Sequence, residues 1–515
     1  MTVKALVAGA LAAALVAGLA LATAHSACSA DLKTDVDHYR LAHEAEIVGQ
    51  LDALTRIDSV AASPSGLARE ADALLALLKA RGIDARLLKP PSGPPVVFGA
   101  LRSPGAKRTV VFYAHYDGQP VTPSQWATPP FEPVMRSGTL ESGAPVVDWR
   151  AAKGPLDPEW RLFGRAASDD KASIVAFLAA CDALKASGRK PSVNIKVVWE
   201  GEEEAGSPHL RDVLVANKDV LKGDLWLIGD APVHASRRQM IYFGARGTLG
   251  LELTIYGPVH PLHDGHYGNW APNPAVMAAG LIAQMRDDDG RILIPGFSDD
   301  VKPLTGAETA AIAALPPMEA DLKREFGIGR SEGPEGLTSS TMRPALNVRG
   351  LRAGQVGADA TNSIPSEAAV SIDVRLAPGQ TPASVRARVE AFLVQNGWTL
   401  TDKAPDLAKR LASPRLVRLA WGDGYPALRT DMTSPVARAV VAAASRAAGQ
   451  PVAELPMMGA SVPIYIFDDV FSVPVIGLPI VNHDNSQHAP NENMRLQNLW
   501  DGISTYAEML AGLDW

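Results

Sequence analysis

In the first half of the chain, short apolar runs typical of buried strands alternate with longer runs whose apolar residues recur at helical spacing. The strand-type runs cover 108–117, 193–200 and 224–230, and a helical run, 171–188, lies between the first two. Strands that alternate with helices predict an α/β fold with a doubly wound, mostly parallel sheet flanked by helices. The carboxyl ends of such strands share one edge, where open α/β sheets bind ligands.

Histidine and carboxylate side chains stand at the ends of these runs, and one more histidine lies near the C-terminus. They are His115 and Asp117 in VVFYAHYDGQP, Asp169 in LFGRAASDDK, Glu203 and Glu204 in WEGEEEAGS, Asp230 in LWLIGDAP and His488 in NSQHAPNEN. Carboxylates and imidazoles are the ligands that a borderline metal such as zinc takes from a protein. The pattern predicts a metal-dependent hydrolase.

From about residue 241 the pattern changes to alternating apolar and polar residues, which is typical of half-buried antiparallel strands. The β-α-β-β-α-β-like order of this region predicts a small ferredoxin-like α+β domain inserted into the first one. We expect a catalytic domain at 31–243 and 431–515, a lid or dimerisation domain at 244–430, and irregular surface insertions at 138–160 and 300–345. The predicted strands of the insert are 242–257, 368–376 and 398–403, and its helices are 273–285 and 381–397.

Residues 1–30 match a secretory signal peptide, with Lys4 before an apolar stretch and small residues after it. Cleavage is expected after Ala24 or Ala30, which predicts export to the periplasm or the medium and no stable membrane partner afterwards. An uncleaved membrane anchor, or a lipid anchor through Cys28, remains an alternative because the apolar run is long enough to span a bilayer.

The balance of charge excludes one class of partner. With 49 basic and 56 acidic residues the formal net charge is −7, so no general basic surface for nucleic acid or anionic lipid is expected. The chain has two cysteines, and the second, Cys181, lies in an apolar helical run. No intramolecular disulfide is expected.

Eight sequence blocks occur in the order typical of one family of metallopeptidases. They are AHYDGQP, W…PPFEP, GRAASDDK, EGEEEAGS, HDGHYGN, NSIP…VRLAPGQT, GASVPI and QHAPNE. From about residue 40 onwards the chain resembles the co-catalytic di-zinc peptidases of the carnosinase, dipeptidase, aminoacylase and carboxypeptidase G superfamily, most closely the carnosinase-like branch.

The resemblance implies two zinc ions in each subunit, with manganese or cobalt also suited to such ligands. Asp169, followed by a cis peptide bond, would bridge the two ions, which lie about 3.5–4 Å apart in sites of this kind. His115 and Asp230 would complete the coordination of one ion, and Glu204 and His488 would complete that of the other. His483 is an alternative to His488, which alone is followed by the family's P-N-E segment.

Two further residues have implied catalytic roles. Asp117 would accept a hydrogen bond from His115 and hold its tautomer. Glu203 would be the general base that takes a proton from a metal-activated water and passes it to the leaving amine. Ala172 stands where the family usually has glycine after the DDK block.

The resemblance also assigns roles in the insert. His263, rather than His260 or His266, would reach the partner subunit's site and stabilise an oxyanion, which implies a homodimer. The resemblance implies that Asn362, Arg375 and Ser461 hold the substrate. Arg375 would bind a substrate carboxylate through its guanidinium group, or else it is an ordinary cross-strand partner.

These assignments predict an exported zinc dipeptidase or short-peptide peptidase that acts on peptides with a free C-terminus. The family tends to have aspartate at the position of Asp230 in dipeptidases and glutamate there in carboxypeptidases and deacylases. The alternative enzyme is an N-acyl-amino-acid amidohydrolase or carboxypeptidase on the same scaffold. A non-catalytic peptide-binding protein is a third hypothesis, disfavoured because Glu203 and all five ligands are present.

Overall fold

A computed structural model describes residues 32–515, so the predicted signal peptide lies outside the described residues. The chain divides into two compact units. Among the described residues, the first unit comprises 32–241 together with Asp431–Glu454 and Ile466–Trp515, and the second comprises Tyr242–Thr430 and Leu455–Tyr465. The short segment Leu455–Tyr465 thus clusters with the region that the sequence analysis assigns to the insert.

The first unit contains an eight-stranded sheet. Its four central strands run parallel to one another, and two antiparallel strands extend one edge. In spatial order the strands are Asp84–Leu88, Val96–Leu101, Asn194–Glu200, Thr109–His115, Leu225–Ile228, Val475–Gly477, Met240–Tyr242 and Ala453–Leu455. The parallel centre with its flanking helices confirms the predicted α/β class.

Helices pack against this sheet through apolar faces. The helix Lys171–Ala186 is buried along most of its length, and its Phe177 ring stacks on Phe112 of a central strand at 4.8 Å between centroids. The other helices of this unit are 32–55, Pro64–Ala80, Leu210–Ala216, Lys218–Leu221, Pro435–Ala448, Tyr465–Phe471 and Leu496–Ala511.

A small three-stranded antiparallel sheet completes the first unit. It joins Asn493–Arg495, Arg161–Phe163 and Val134–Arg136 in that order. The segment that precedes Asp169 and the segment that follows His488 are therefore neighbours in one sheet. Short 3₁₀ turns lie at Pro123–Gln125, Trp149–Ala151 and Glu203–Ala205.

The second unit has a five-stranded sheet with helices packed on it. Four of its strands are antiparallel, and in chain order they are Gly247–Tyr256, Ala345–Arg352, Glu367–Leu376 and Leu416–Tyr425. The first of these four lies between the third and the fourth, which is the ferredoxin-like order. In spatial order the strands are Ala345–Arg352, Glu367–Leu376, Gly247–Tyr256, Leu416–Tyr425 and Thr399–Thr401. Helices Pro274–Met285 and Pro382–Gln395 contribute Leu281, Met285, Val389 and Leu393 to its core.

Several elements of the second unit differ from the sequence analysis. The predicted last strand near 398–403 is a short edge strand, and Leu416–Tyr425, which was not predicted, takes the fourth place in the sheet. The predicted irregular stretch 300–345 contains three short helices, because its local caps and turns are favourable without a long apolar pattern. They are Gly306–Ala313, Glu319–Phe326 and Leu337–Thr341.

Two pairs of short strands, two short helices and one 3₁₀ turn complete the described elements of the second unit. Strands Leu262–His263 and Ser363–Ile364 pair, as do Leu428–Arg429 and Gly244–Ala245. A four-residue helix covers Asp264–Tyr267, another covers Leu407–Ala412 with six residues, and a 3₁₀ turn lies at Gly357–Asp359. Within residues 32–515, no helix combines the length and apolar character needed to cross a membrane.

Candidate metal centre

Three neighbouring parallel strands of the first unit end at the candidate centre. Thr109–His115 pairs with Asn194–Glu200 on one side and with Leu225–Ile228 on the other. Because parallel strands end at the same edge of a sheet, the segments that follow them meet there. These segments carry Asp117, Glu203, Glu204 and Asp230.

The predicted ligands form two groups. In the first, ligand atoms of His115, Glu203 and Asp230 all lie within 4.8 Å of one another. In the second, the same is true of Asp169, Glu204 and His488. The five side chains that the resemblance assigns to metal binding are thus divided between two adjacent clusters, and the predicted general base belongs to the first.

Asp169 connects the two groups through its two carboxylate oxygens. Its Oδ1 lies 3.1 Å from Nε2 of His115, and its Oδ2 lies 3.2 Å from Nε2 of His488. The same imidazole nitrogen of His488 lies 3.3 Å from Oε2 of Glu204. A carboxylate placed in this way can offer one oxygen to each of two cations. The peptide bond between Asp169 and Asp170 is cis, as the resemblance implies.

The electrostatics of the cluster fit bound cations. Burial, followed by repulsion from Asp169, raises the pKa of Asp230 to about 7. Burial raises the pKa of Glu203 well above its ordinary value; His115 opposes this rise, and Asp230 adds to it. Carboxylates crowded together out of water are unfavourable unless positive charge compensates them. The donor set of two histidines and four carboxylates suits zinc, manganese or cobalt.

The two histidines bind the carboxylates directly in this arrangement. Burial alone would lower the pKa of His115, but its hydrogen bonds with Asp117 and Asp169 raise it well above its ordinary value. Hydrogen bonds with Asp169 and Glu204 raise the pKa of His488 to about 10. Although burial acts in the opposite direction, these two imidazoles hold the pKa of Asp169 well below its usual range.

Asp117 links the first strand to the segment that carries the two glutamates. Nδ1 of His115 lies 3.1 Å from the carbonyl oxygen of Asp117 and 3.4 Å from its Oδ1. The carboxylate of Asp117 also accepts the backbone N–H groups of Glu203 and Glu204 at 3.2 and 3.1 Å. A single buried carboxylate therefore orients the imidazole and fixes the backbone of both glutamates.

A second buried carboxylate, which the sequence analysis does not assign, organises the segment before Asp169. Glu492 accepts the backbone N–H groups of Ala166, Ser168 and Asp169, each at 2.9 Å. It also accepts the Ser168 hydroxyl and the Arg165 guanidinium at 2.8 Å. Five donors on one carboxylate leave the backbone at Asp169 little freedom.

Glu492 also belongs to the segment of His488, four residues upstream in the chain. The Glu492 carboxylate therefore joins the segment of His488 to the segment of Asp169, and both of these residues belong to the second group. The available signal was the QHAPNE block itself, which contains this glutamate. Its role was invisible there because every partner lies more than three hundred residues away.

Neighbouring polar residues have other partners. Nε2 of Gln119 donates to Oε2 of Glu204 at 2.7 Å, which orients that carboxylate. Glu202 lies 2.9 Å from Nδ1 of His209, so it is a neighbour of the centre rather than a member of either group. Among the described residues, His483 belongs to neither group.

The predicted site residues of the second unit form two separate neighbourhoods. His263 and Asn362 lie beside each other, because His263 pairs with Ser363 and the backbone N–H of Asp264 donates to the Asn362 carbonyl at 3.2 Å. The His263 side chain is 55% exposed, and its ring centroid lies 4.6 Å from that of His266.

Arg375 and Ser461 both lie by the start of the strand Gly247–Tyr256. Nε of Arg375 donates to Asp373 at 2.6 Å, and the Ser461 hydroxyl donates to the Gly247 carbonyl at 3.2 Å. Arg246, which the sequence analysis does not single out, is a further cation here, since burial and then the charge of Arg375 lower its pKa to about 10. Two arginines and one hydroxyl therefore lie near one another at this end of the strand.

Comparison with known proteins gives the same family as the motifs. The profile of peptidase family M20/M25/M40 matches residues 111–512. The Cys-Gly metallodipeptidase dug1 of Schizosaccharomyces pombe is 26% identical over 431 residues, which cover 82% of this chain and 83% of that protein. The Beta-Ala-His dipeptidase of Homo sapiens is 25% identical over 446 residues, covering 80% and 76%.

Solved structures have the same fold. The M20 family metallo-carboxypeptidase Sso-CP2 from Sulfolobus solfataricus matches with a TM-score of 0.73 and 26% identity, covering 90% of this chain and 98% of that one. The di-peptidase Dug1p from Saccharomyces cerevisiae matches with a TM-score of 0.72 over 94% of this chain and 98% of that one, at 23% identity. The chain belongs to peptidase family M20/M25/M40 and is a metal-binding hydrolase of the metallopeptidase class.

Proposed function

We propose that this chain is an exported dipeptidase that works with two zinc ions, for which manganese or cobalt can substitute. The observation that carries the proposal is the position of Asp169, whose two oxygens face histidines of two different groups. His115 and Asp230 would hold one ion with Asp169, and Glu204 and His488 would hold the other. The Cys-Gly and Beta-Ala-His specificities in the names of the relatives support a dipeptide substrate.

Glu203 is proposed as the general base. When bound, zinc supplies a Lewis acid that polarises the scissile carbonyl and acidifies the attacking water. The Glu203 carboxylate takes the proton from that water and delivers it to the nitrogen of the leaving amine. Its backbone is held by Asp117, so the carboxylate approaches the reacting atoms from a fixed position.

The second unit is proposed to recognise the substrate. Arg375 and Ser461 would bind the free C-terminal carboxylate, with a charge-assisted fork from the guanidinium. His263 and Asn362 would stabilise the oxyanion in the site of a partner subunit, so the active form would be a homodimer. The exposure of the His263 imidazole agrees with a residue that acts outside its own unit.

A substrate panel tests the proposed activity. Metal-depleted protein would be reconstituted with zinc and assayed on Cys-Gly, β-Ala-His, other dipeptides, N-acetyl amino acids and dipeptide amides. We expect metal-dependent cleavage of dipeptides with a free carboxylate and at least tenfold slower cleavage of their amides. Cleavage of N-acetyl amino acids alone would refute the dipeptidase proposal.

A carboxypeptidase is the second candidate, because the named metallo-carboxypeptidase from Sulfolobus solfataricus is 26% identical at a TM-score of 0.73. The two candidates differ in their preference for length. A dipeptidase requires the free amine next to the scissile bond, whereas a carboxypeptidase accepts N-blocked and longer peptides. Comparing Ala-Ala with N-blocked Ala-Ala and with a pentapeptide therefore distinguishes them.

Export and dimerisation need their own measurements. We expect the full chain to be processed near Ala24 or Ala30 and found outside the cytoplasm, whereas a chain without residues 1–30 stays inside. Light scattering is expected to give twice the mass of the processed chain. An N-terminal sequence that begins at Met1, or a monomeric mass with full activity, would contradict these two points.

A further inference from the structure

A cavity of about 320 Å³ lies in the first unit, away from the metal centre. It opens at the C-terminal part of the helix Lys171–Ala186, whose first residue follows the Asp169–Asp170 pair. At 1.5 Å per residue the cavity is roughly 20 Å along the helix from those carboxylates. Its volume falls at the lower end of the about 300–1,000 Å³ typical of small-molecule sites.

The mouth of the cavity is strongly basic, although the chain as a whole has a formal charge of −7. Five of its lining residues are cationic and one is acidic. Arg81 pairs with Asp182 at 2.7 Å, and Arg189 pairs with Asp35 at 2.7 Å. The remaining cations have no ion pair within residues 32–515, and they are Arg102, Lys185 and Lys190.

One of these cations, Arg102, also acts on a neighbouring lysine. Burial lowers the pKa of Lys196, and the charge of Arg102 lowers it further. Asp224 opposes this effect. The stronger observation is therefore that Arg102, Lys185 and Lys190 have no ion pair among the described residues. An anion bound between them would supply the missing charge.

The inner wall of the cavity is apolar. Leu101, Leu184 and Leu510 line it together with Ile83, and Leu184 and Leu510 are otherwise buried. The thiol of Cys181 also lies here, and burial raises its pKa to about 12, so it stays protonated and contributes as an apolar group. A ligand that fits must therefore combine an anionic head with an apolar part.

Hydrogen bonds hold the loops at the mouth in place. The backbone N–H of Ser103 donates to Oδ1 of Asn194 at 3.1 Å, and its hydroxyl donates to the Pro191 carbonyl. The Ser192 N–H donates to the Leu510 carbonyl at 2.9 Å. The loops that carry Arg102 and Lys190 are thus tied to each other and to the last helix. A preorganised site of this kind loses little entropy when it binds a ligand.

We propose that this cavity binds a phosphate-bearing amphiphile, with the phosphate between Arg102, Lys185 and Lys190 and the apolar portion against the leucines. The phosphate group matches several cations better than a carboxylate does, because it has more charge and more acceptor oxygens. A free organic phosphate monoester has this larger charge, whereas the phosphodiester in the head group of an anionic lipid has one negative charge but carries its own apolar chains. The site is independent of the proposed peptidase activity.

Calorimetry with the zinc-loaded protein tests the chemistry of the ligand. Hexyl phosphate is expected to bind, inorganic phosphate to bind at least tenfold more weakly, and hexanol to give no signal. The double variant Arg102→Glu with Lys185→Glu is expected to weaken hexyl phosphate binding at least tenfold. Lys153→Glu is the matched control, since this exposed lysine of the same unit does not line the cavity.

Co-sedimentation identifies the source of the phosphate. Binding to vesicles of phosphatidylglycerol with phosphatidylcholine, lost in the double variant but not in Lys153→Glu, supports a lipid head group. Hexyl phosphate binding without vesicle binding supports a soluble organic phosphate. The proposal is overturned if hexyl phosphate does not bind, or if its binding is unchanged in a double variant that keeps wild-type circular dichroism and dipeptide hydrolysis.

Discussion

The metal-centre side chains of the first unit and the candidate substrate-binding side chains of the second unit are held by the fold in different ways. His115 and Asp169 are 0% and 4% exposed, and each has polar partners from more than one segment. His263 and Arg375 are 55% and 29% exposed, and each bonds to a close neighbour in the chain. The candidate metal centre is thus mostly buried inside one unit, with His488 at 54% exposure as the exception, whereas the candidate substrate-binding side chains are partly accessible.

This difference predicts how variants will behave. Changing a buried carboxylate of the first unit removes a ligand and also disturbs its neighbours, so metal content and rate fall together. Changing an exposed side chain of the second unit leaves the metal centre intact, so the effect is confined to binding of substrate.

Asp169→Asn is expected to abolish activity and to remove both metal ions, because the amide offers a single weak acceptor where two charged oxygens face two histidines. Metal analysis after gel filtration measures the content directly. Asp230→Asn is the comparison, since it touches the first group alone and should leave one ion bound. Retention of both ions by Asp169→Asn would refute the bridging role.

Glu203→Gln is expected to lower kcat by about 10²–10⁴-fold, the usual contribution of a general base, with the metal content retained. Glu202→Gln is the matched control, because the adjacent glutamate bonds to His209 instead. We expect this control to stay within a few-fold of wild type. Equal rates for the two variants would show that Glu203 is not the base.

Glu492→Gln is expected to lower metal affinity and kcat by about 10–100-fold, which is typical of residues that orient a metal ligand without binding the metal themselves. The glutamine amide has only one acceptor oxygen, so either the N–H of Ala166 or the N–H of Asp169 loses its acceptor. Isothermal titration with zinc, paired with kinetics at saturating zinc, separates loss of affinity from loss of rate. Unchanged zinc affinity would contradict a positioning role.

Arg375→Ala is expected to raise KM for dipeptides by about 10–100-fold while metal content stays unchanged, since charged hydrogen bonds contribute about 1.5–3 kcal/mol. Dipeptide amides, which lack the carboxylate, should be cleaved equally by wild type and variant. Arg349→Ala is the control, because this arginine is an exposed cross-strand partner of Glu252. An equal loss on amides would show that Arg375 is structural.

The metal-free protein is expected to lose stability as pH rises from about 4 towards 8. Folding raises the pKa of Asp230, Glu200 and Glu70 to about 7 in each case, chiefly by burial. The folded state therefore binds more protons than the unfolded state between their ordinary pKa values and 7, and the free energy of unfolding falls as pH rises through this window. Urea unfolding with a chelator measures this slope, and added zinc should flatten it.

The central strands of the first unit, and the helix Lys171–Ala186 between two of them, were predictable from local patterns. The predicted runs 108–117 and 193–200 correspond to Thr109–His115 and Asn194–Glu200, because strands buried on both faces are continuously apolar. Ala345–Arg352 and Leu416–Tyr425 were missed because much of each strand is exposed and lacks apolar alternation. Their pairing with distant strands makes them strands, and that information is absent from a local window.

The residues and their order along the chain are enough to name the candidate side chains of the site. Histidines and carboxylates at strand ends, in family order, predicted the side chains that form the two candidate metal-binding groups, because rigid strands carry such residues to one edge. Packing sets the distances at which Asp169 presents its two oxygens to two histidines, and it places Glu492 against the backbone of Asp169, which the sequence did not indicate. The basic mouth of the cavity also exists only in three dimensions. Each of these depends on distances of a few ångströms between segments far apart in the chain, which packing sets and composition does not.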